Sequence, residues 1–134
     1  MATFTKVYSF VEALAEKVHN LGSDTLTVAL VAAANAPTQS NTQLSQLTQI
    51  SYTNCSSRAL SITSSSQTTG TYKLVIADLV LTASGGSVGP FRYIVVYNDT
   101  ATNDELIGYY DYGSDLTLAD GESLTLDFSP TNGL

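Results

Sequence analysis

The sequence is poor in the residues that carry most protein chemistry. Its 134 residues include one cysteine, one histidine and no tryptophan. A lone Cys55 cannot close a disulfide within the chain, so no covalent staple is available and folding in a reducing cytosol is expected. No Cys/His cluster has the spacing of a zinc site. Charged residues are 13% of the chain, about half the usual share. The five bases, Lys6, Lys17, Arg58, Lys73 and Arg92, are scattered, and the net charge is −7. Without a basic stripe to displace counterions, nucleic acid and anionic membrane surfaces are poor partners. No apolar run approaches the ~20 residues of a membrane-spanning helix. Charges interrupt the opening MATFTKVYSFVEALAEK and no cleavage pattern comes after it, so no secretory leader is expected. The sequons at Asn54 and Asn98 then carry no meaning as glycan acceptors.

Apolar residues make up 43%, enough for a core in one ordinary domain. Serine (16) and threonine (18) replace the missing charge. Apolar residues with hydroxyls between them suit strands with hydroxyl-bearing outer faces better than a helical bundle. The charge is also uneven. Residues 98–134 hold eight acids and no base, whereas residues 1–97 hold four acids and five bases. An acidic surface keeps a protein soluble and can also steer a basic partner or a cation.

Phe4, Val7, Tyr8, Val11, Leu14, Ala15, Val18 and Leu21 recur at steps of three and four, which predicts one helix over about 4–20. Thr3 or Thr5 is placed to cap its start, His19 falls in its last turn, and Gly22 is placed past its end. Everything after it reads as strand and turn. Residues 25–33 alternate Leu26, Val28 and Leu30 against Thr25, Thr27 and Ala29. Residues 38–52 read as an ordered loop with one helical turn, pinned by Leu44, Leu47 and Ile50. A short strand is predicted over 58–63 and a turn over 64–70. Residues 71–83 form the strongest strand, interrupted by Asp78, where a bulge or a buried hydrogen-bonded carboxylate is expected. Strands at 91–98, 106–112, 116–118 and 122–128 come next, with Asp120-Gly121 as a hairpin turn. The prediction is a mainly β chain: one antiparallel β-sandwich or jelly-roll-like domain over 1–134, with strands over about 25–130 and the N-terminal helix covering an edge or open end.

Catalytic signals are weak. Gly85-Gly-Ser87-Val-Gly89 matches a nucleophile elbow on paper, but an elbow leads from strand into helix with a histidine later in the chain. Here the loop leads into another strand, and His19 lies far upstream. Asp111, Asp115, Asp120 and Glu122 could gather oxygens for Ca²⁺, but not at EF-hand spacing. Neither a catalytic residue, a metal nor a cofactor is assigned. Tyrosine is the enriched aromatic, with eight residues against four phenylalanines. Tyr93, Tyr97, Tyr109 and Tyr112, with Asp111 and Asp115, sit on two adjacent strands and are the candidate partner-binding residues, because tyrosine is favoured at protein contacts. A sheet rim with satisfied hydroxyls is the competing reading.

Three segments go further: 91–100 (FRYIVVYNDT), 106–113 (LIGYYDYG) and 118–128 (LADGESLTLDF). With the start, 10–21 (FVEALAEKVHNL) and 26–30 (LTVAL), they resemble small virion structural proteins of tailed bacteriophages, most closely capsid decoration or cement proteins. Residues 34–66 carry no part of the resemblance. It implies a sandwich that binds the outer capsid surface and clamps neighbouring copies of the major capsid protein, commonly as a trimer or dimer. The chain would be made in the host cytoplasm and reside on the virion. A tail or fibre component, or a small carbohydrate-binding attachment module, is the alternative.

Overall fold

A computed structural model of the chain describes residues 2–134. Strands hold 45% of the residues and helix 10%, and every pairing is antiparallel. In chain order the elements are β1 (Phe4–Lys6), α1 (Ser9–Ala15), β2 (Leu26–Val31), β3 (Ile62–Thr68), β4 (Thr71–Ile76), β5 (Leu79–Thr82), β6 (Val88–Asn98), β7 (Leu106–Leu118) and β8 (Ser123–Leu126). Two single 3-10 turns, Ala33–Asn35 and Leu44–Gln46, lie in the long β2–β3 connection. One four-stranded sheet runs β1-β7-β6-β2, and two ribbons, β3-β4 and β5-β8, complete the strands.

The four-stranded sheet is buried on both faces. Leu26, Val28 and Leu30 of β2 join Phe91, Ile94 and Val96 of β6 in a first core, closed by Leu74, Ile76, Leu81 and Phe128 from the ribbons and the C-terminal segment. Ala29 and Val31 point the other way, into a second core with Val7, Val95, Tyr97 and Leu106. The anchors Leu44 and Leu47 pack on this second core, while Ile50 packs on the first. The 38–52 loop is therefore a lid on the sheet, as its spaced apolar residues suggest. The alternation of β2 splits its apolar residues between the two cores, and all six residues of the strand are buried. Thr27 tolerates burial by donating its hydroxyl to Asp99 Oδ2 at 3.3 Å.

The N-terminal prediction is corrected most. A helix over 4–20 is replaced by a strand and a two-turn helix. Phe4, Thr5 and Lys6 pair with Tyr110, Tyr109 and Gly108, because an aromatic and a β-branched residue suit a half-buried sheet margin. The helix starts at Ser9 with no side-chain cap, so neither Thr3 nor Thr5 performs that role. It stops because Lys17 turns left-handed at φ 68°, with Val18 N–H donating to Ala13 O and Lys17 N–H to Leu14 O. This is the Schellman closure, with lysine where glycine is usual. The apolar series then splits: Val7 and Leu21 are buried, whereas Tyr8 (67%), Val11 (66%) and Leu14 (41%) are exposed. His19 lies beyond the helix and is itself buried.

Other boundaries differ for local reasons. The single strand expected over 71–83 is two, broken at Ala77–Asp78, so that β4 pairs with β3 and β5 with β8. Asp78 is exposed rather than buried, and it secures the break by accepting the Phe128 N–H at 2.9 Å. The expected turn over 64–70 is mostly strand: Ser64 to Thr68 extend with β4 as an exposed ribbon that turns at Thr69 and Gly70. The segments expected at 106–112 and 116–118 are one 13-residue strand. It stays continuous because β7 absorbs surplus residues: its partners jump from Asp111 to Leu116 while β6 moves back only from Tyr93 to Phe91. A smaller bulge at Ile107 turns Ile107 to the first core, while Leu106 and Tyr109 face the second.

Candidate functional site

The β6–β7 pair places the candidate tyrosines and aspartates, and the pleat divides them. Tyr93 and Tyr109 share the second-core face, half-buried, with ring centroids 6.4 Å apart in an edge-on contact. The Arg92 guanidinium lies 5.4 Å from the Tyr93 ring centre. Tyr97 is buried in the second core and offers no surface. Tyr112 is 47% exposed on the opposite face, so it does not extend the Tyr93–Tyr109 pair. The expected six-residue set is therefore two surfaces and one core residue.

The two aspartates are engaged locally. Asp111 accepts both Arg92 Nε at 2.8 Å and Arg92 Nη2 at 3.0 Å, and the Gly113 N–H at 2.8 Å. These donors hold its carboxyl below the ordinary carboxylate range, the arginine hydrogen bonds foremost. Asp115 accepts the Ala33 N–H at 3.2 Å and so ties β7 to the start of the β2–β3 connection. Asp120 accepts the Gly85 N–H and Glu122 the Ala119 N–H. Each of the four carboxylates weighed for Ca²⁺ thus serves a different turn or pairing. Among the described residues no three His, Cys, Asp or Glu side chains gather as metal ligands. No helix among them is long and apolar enough to cross a membrane.

The catalytic fragments lie in different settings. Ser87 lies between β5 and β6, where its carbonyl accepts Asn54 Nδ2 at 3.4 Å. His19 is buried, and Asn98 Nδ2 lies 3.0 Å from its Nδ1. Asn98 Oδ1 accepts from Thr100 and Ala101 N–H, which fixes the amide and makes its nitrogen the donor to His19. The proton of the neutral histidine must then sit on Nε2, which is buried without a partner, with the imidazole and Phe10 ring centroids 5.5 Å apart. Burial pushes the His19 pKa below its ordinary value, against the pull of Glu105 and Asp24. Cys55 is half-buried, bridged in the main chain to Ala83, and burial pushes its thiol up.

A further feature is a groove of about 450 Å³ between the β1–β7 margin and β8. Phe4, Tyr110 and Tyr112 line one wall, and Leu124, Leu126 and Phe128 the other. Aromatic contacts join the two walls: Phe4 and Tyr110 lie 5.0 Å apart, Tyr110 and Phe128 6.1 Å. Gly108 makes the Phe4 contact possible, since a β-carbon there would come within 2.5 Å of the Phe4 ring. Burial raises the Tyr110 hydroxyl's pKa. Sequence reasoning missed this groove. The alternation of Leu124, Leu126 and Phe128 is visible in the sequence, but the opposite wall is contributed in part by residues at the other end of the chain. No family model, no curated protein and no solved structure matches this chain.

Proposed function

We propose that this chain is a bacteriophage capsid decoration protein, a non-enzymatic clamp that binds the outer shell surface over neighbouring copies of the major capsid protein. The observation that carries the reading is the resemblance of residues 91–100, 106–113 and 118–128 to small virion proteins. Those residues supply most of β6 and β7 and all of β8, the elements that also bear the Tyr93–Tyr109 pair and Leu124 and Leu126 of the groove. In the finer fold reading, the four-stranded sheet and the two ribbons face each other as an antiparallel β-sandwich.

Physical chemistry supports the role. A clamp needs a rigid scaffold and complementary surface rather than an active site. A sheet buried on both faces supplies rigidity without a disulfide. Exposed tyrosine and the Ser/Thr ribbon β3–β4 offer rings and hydroxyls to a protein surface. Repetition over an icosahedral shell multiplies weak contacts, above all if the clamp is itself a trimer or dimer.

The test is the copy number of this protein in purified virions, relative to the major capsid protein. A ratio near one, or a simple fraction of it, is expected. A handful of copies per particle assigns the chain to the tail or a fibre instead. Absence from virions overturns the reading.

A further inference from the structure

We infer that the groove beside β8 takes an extended strand from a different polypeptide, one whose apolar residues alternate and whose ends carry lysine or arginine. Two unpaired strand margins carry the first half of this inference. β1 and β8 are each the last strand of their sheets, so each pairs along one side only. No β5 residue lines the groove, which opens beside β8 between the sheet residues Ile94 and Tyr110 and the C-terminal residues Ser129 and Asn132 to Leu134. An unpaired strand presents a row of main-chain donors and acceptors, the template for adding a strand. The groove supplies what such a strand needs beyond main-chain pairing. Phe4, Tyr110 and Tyr112 stand across from β8 as apolar contacts for every second side chain of the guest.

Charge selects the guest. Among the described residues, Asp127 is the only charged side chain lining the groove. Asp120 and Glu122 precede β8 and Asp127 comes directly after it, so acid stands at both ends of the open margin. Both β7 and β8 come from the stretch 98–134, which contains no base. A second copy of this chain, at net −7, brings like charge to the groove, whereas a base-flanked strand neutralises it. Naming the donor rests on the proposed function: on that reading it is a segment of the capsid subunit.

Two measurements test this separately. The first uses a fluorescein-labelled synthetic peptide in which valine alternates with threonine between lysine pairs, and a control with glutamate in place of lysine. Saturable binding of the lysine peptide is expected, with slowed amide hydrogen exchange at Ser123–Leu126 and weak or no binding of the control. Tyr112→Arg, at a half-exposed position, should weaken binding by about tenfold, as loss of an aromatic anchor does. Asp127→Lys should narrow the gap between the two peptides. No binding, or protection confined to elements other than β1 and β8, overturns the groove assignment. The second measurement compares exchange in the protein free and bound to purified shells. Protection of β8 on the shell supports the capsid subunit as donor. Shell binding that leaves β8 unprotected overturns the capsid subunit as donor and leaves the decoration reading standing. Peptide binding at β8 without shell binding keeps the groove assignment and overturns the decoration reading.

Discussion

The two margins of the four-stranded sheet differ in strand and end differently: β2 is six buried residues, Leu26–Val31, and β1 is three, Phe4–Lys6, with Lys6 exposed. Along β2, the chain returns to cover the margin. Val28 N–H donates to Arg58 O at 3.0 Å, Leu60 N–H to Leu26 O at 2.9 Å and Ile50 N–H to Leu30 O at 3.0 Å. Tyr52 seals the centre: its hydroxyl accepts the Leu30 N–H and donates to Gln49, while Arg58 lies 3.6 Å over its ring. Along β1, the strand is three residues long and no other described strand pairs with its outer side; Gln39 Nε2 donates to Lys6 O at 2.9 Å, and an aromatic groove remains. A covered margin becomes core, and an uncovered one stays a surface that can recognise another chain. Whether a strand margin is covered here depends on which segment returns to it as well as on its own residues.

The largest effect should come from opening the covered margin. Leu30 is fully buried there, and Leu30→Ala should cost about 2–5 kcal/mol in urea unfolding, through lost burial and the cavity left behind. Gly108→Ala acts on the other margin. Its β-carbon meets the Phe4 ring and Thr5 O at 2.5 Å, so β1 must shift, at a cost of about 1–3 kcal/mol. Nuclear magnetic resonance shifts should then change along β1 and the groove while those of β2 hold. If both margins respond equally, they are not independent.

Acid should weaken the fold through His19. Unfolded, the imidazole takes its proton near its ordinary value of 6.5; folded, burial holds it neutral to a lower pH. Between those values the unfolded state binds more protons, so the contribution is full above about pH 6.5 and declines as pH falls toward the folded value. Protonation would also aim an N–H at the Asn98 amide donor. Urea titrations at falling pH should show that loss, and His19→Gln, which keeps an acceptor for Asn98, should flatten it. The smallest effect is expected at Tyr112→Ser. At 47% exposure its removal should change stability by no more than about 0.5 kcal/mol. A larger loss would make Tyr112 a structural residue and not a free anchor.

Much of this architecture is legible in the sequence where local pattern and tertiary demand agree. The antiparallel β majority, the anchors Leu44, Leu47 and Ile50, and the interruption at Asp78 all derive from residue type and spacing. The N-terminus shows where spacing alone misleads. Its apolar positions satisfy a helix period, yet Phe4 is drawn into the sheet by Tyr110 and the gap at Gly108, and Tyr8, Val11 and Leu14 are left outside. The candidate site divides the same way. Alternation separates Tyr109 from Tyr110, so two tyrosine faces are visible in the pattern, but Tyr97 is placed inside only by the lid that covers it. Asp111 and Asp115 read as surface charge, and their bonds to Arg92 and Ala33 come from elements distant in sequence.

Composition and period determined by themselves that this chain is mainly antiparallel β, lacks an internal disulfide and concentrates acid in its last third. These are local or additive properties, and each residue carries its share wherever the chain goes. Tertiary structure alone decided which strand margins are covered, which aromatics face outward, and that Phe4 and Phe128 meet at one groove. Those outcomes depend on contacts between residues far apart in the chain, more than a hundred positions in the case of the groove, which no local window contains.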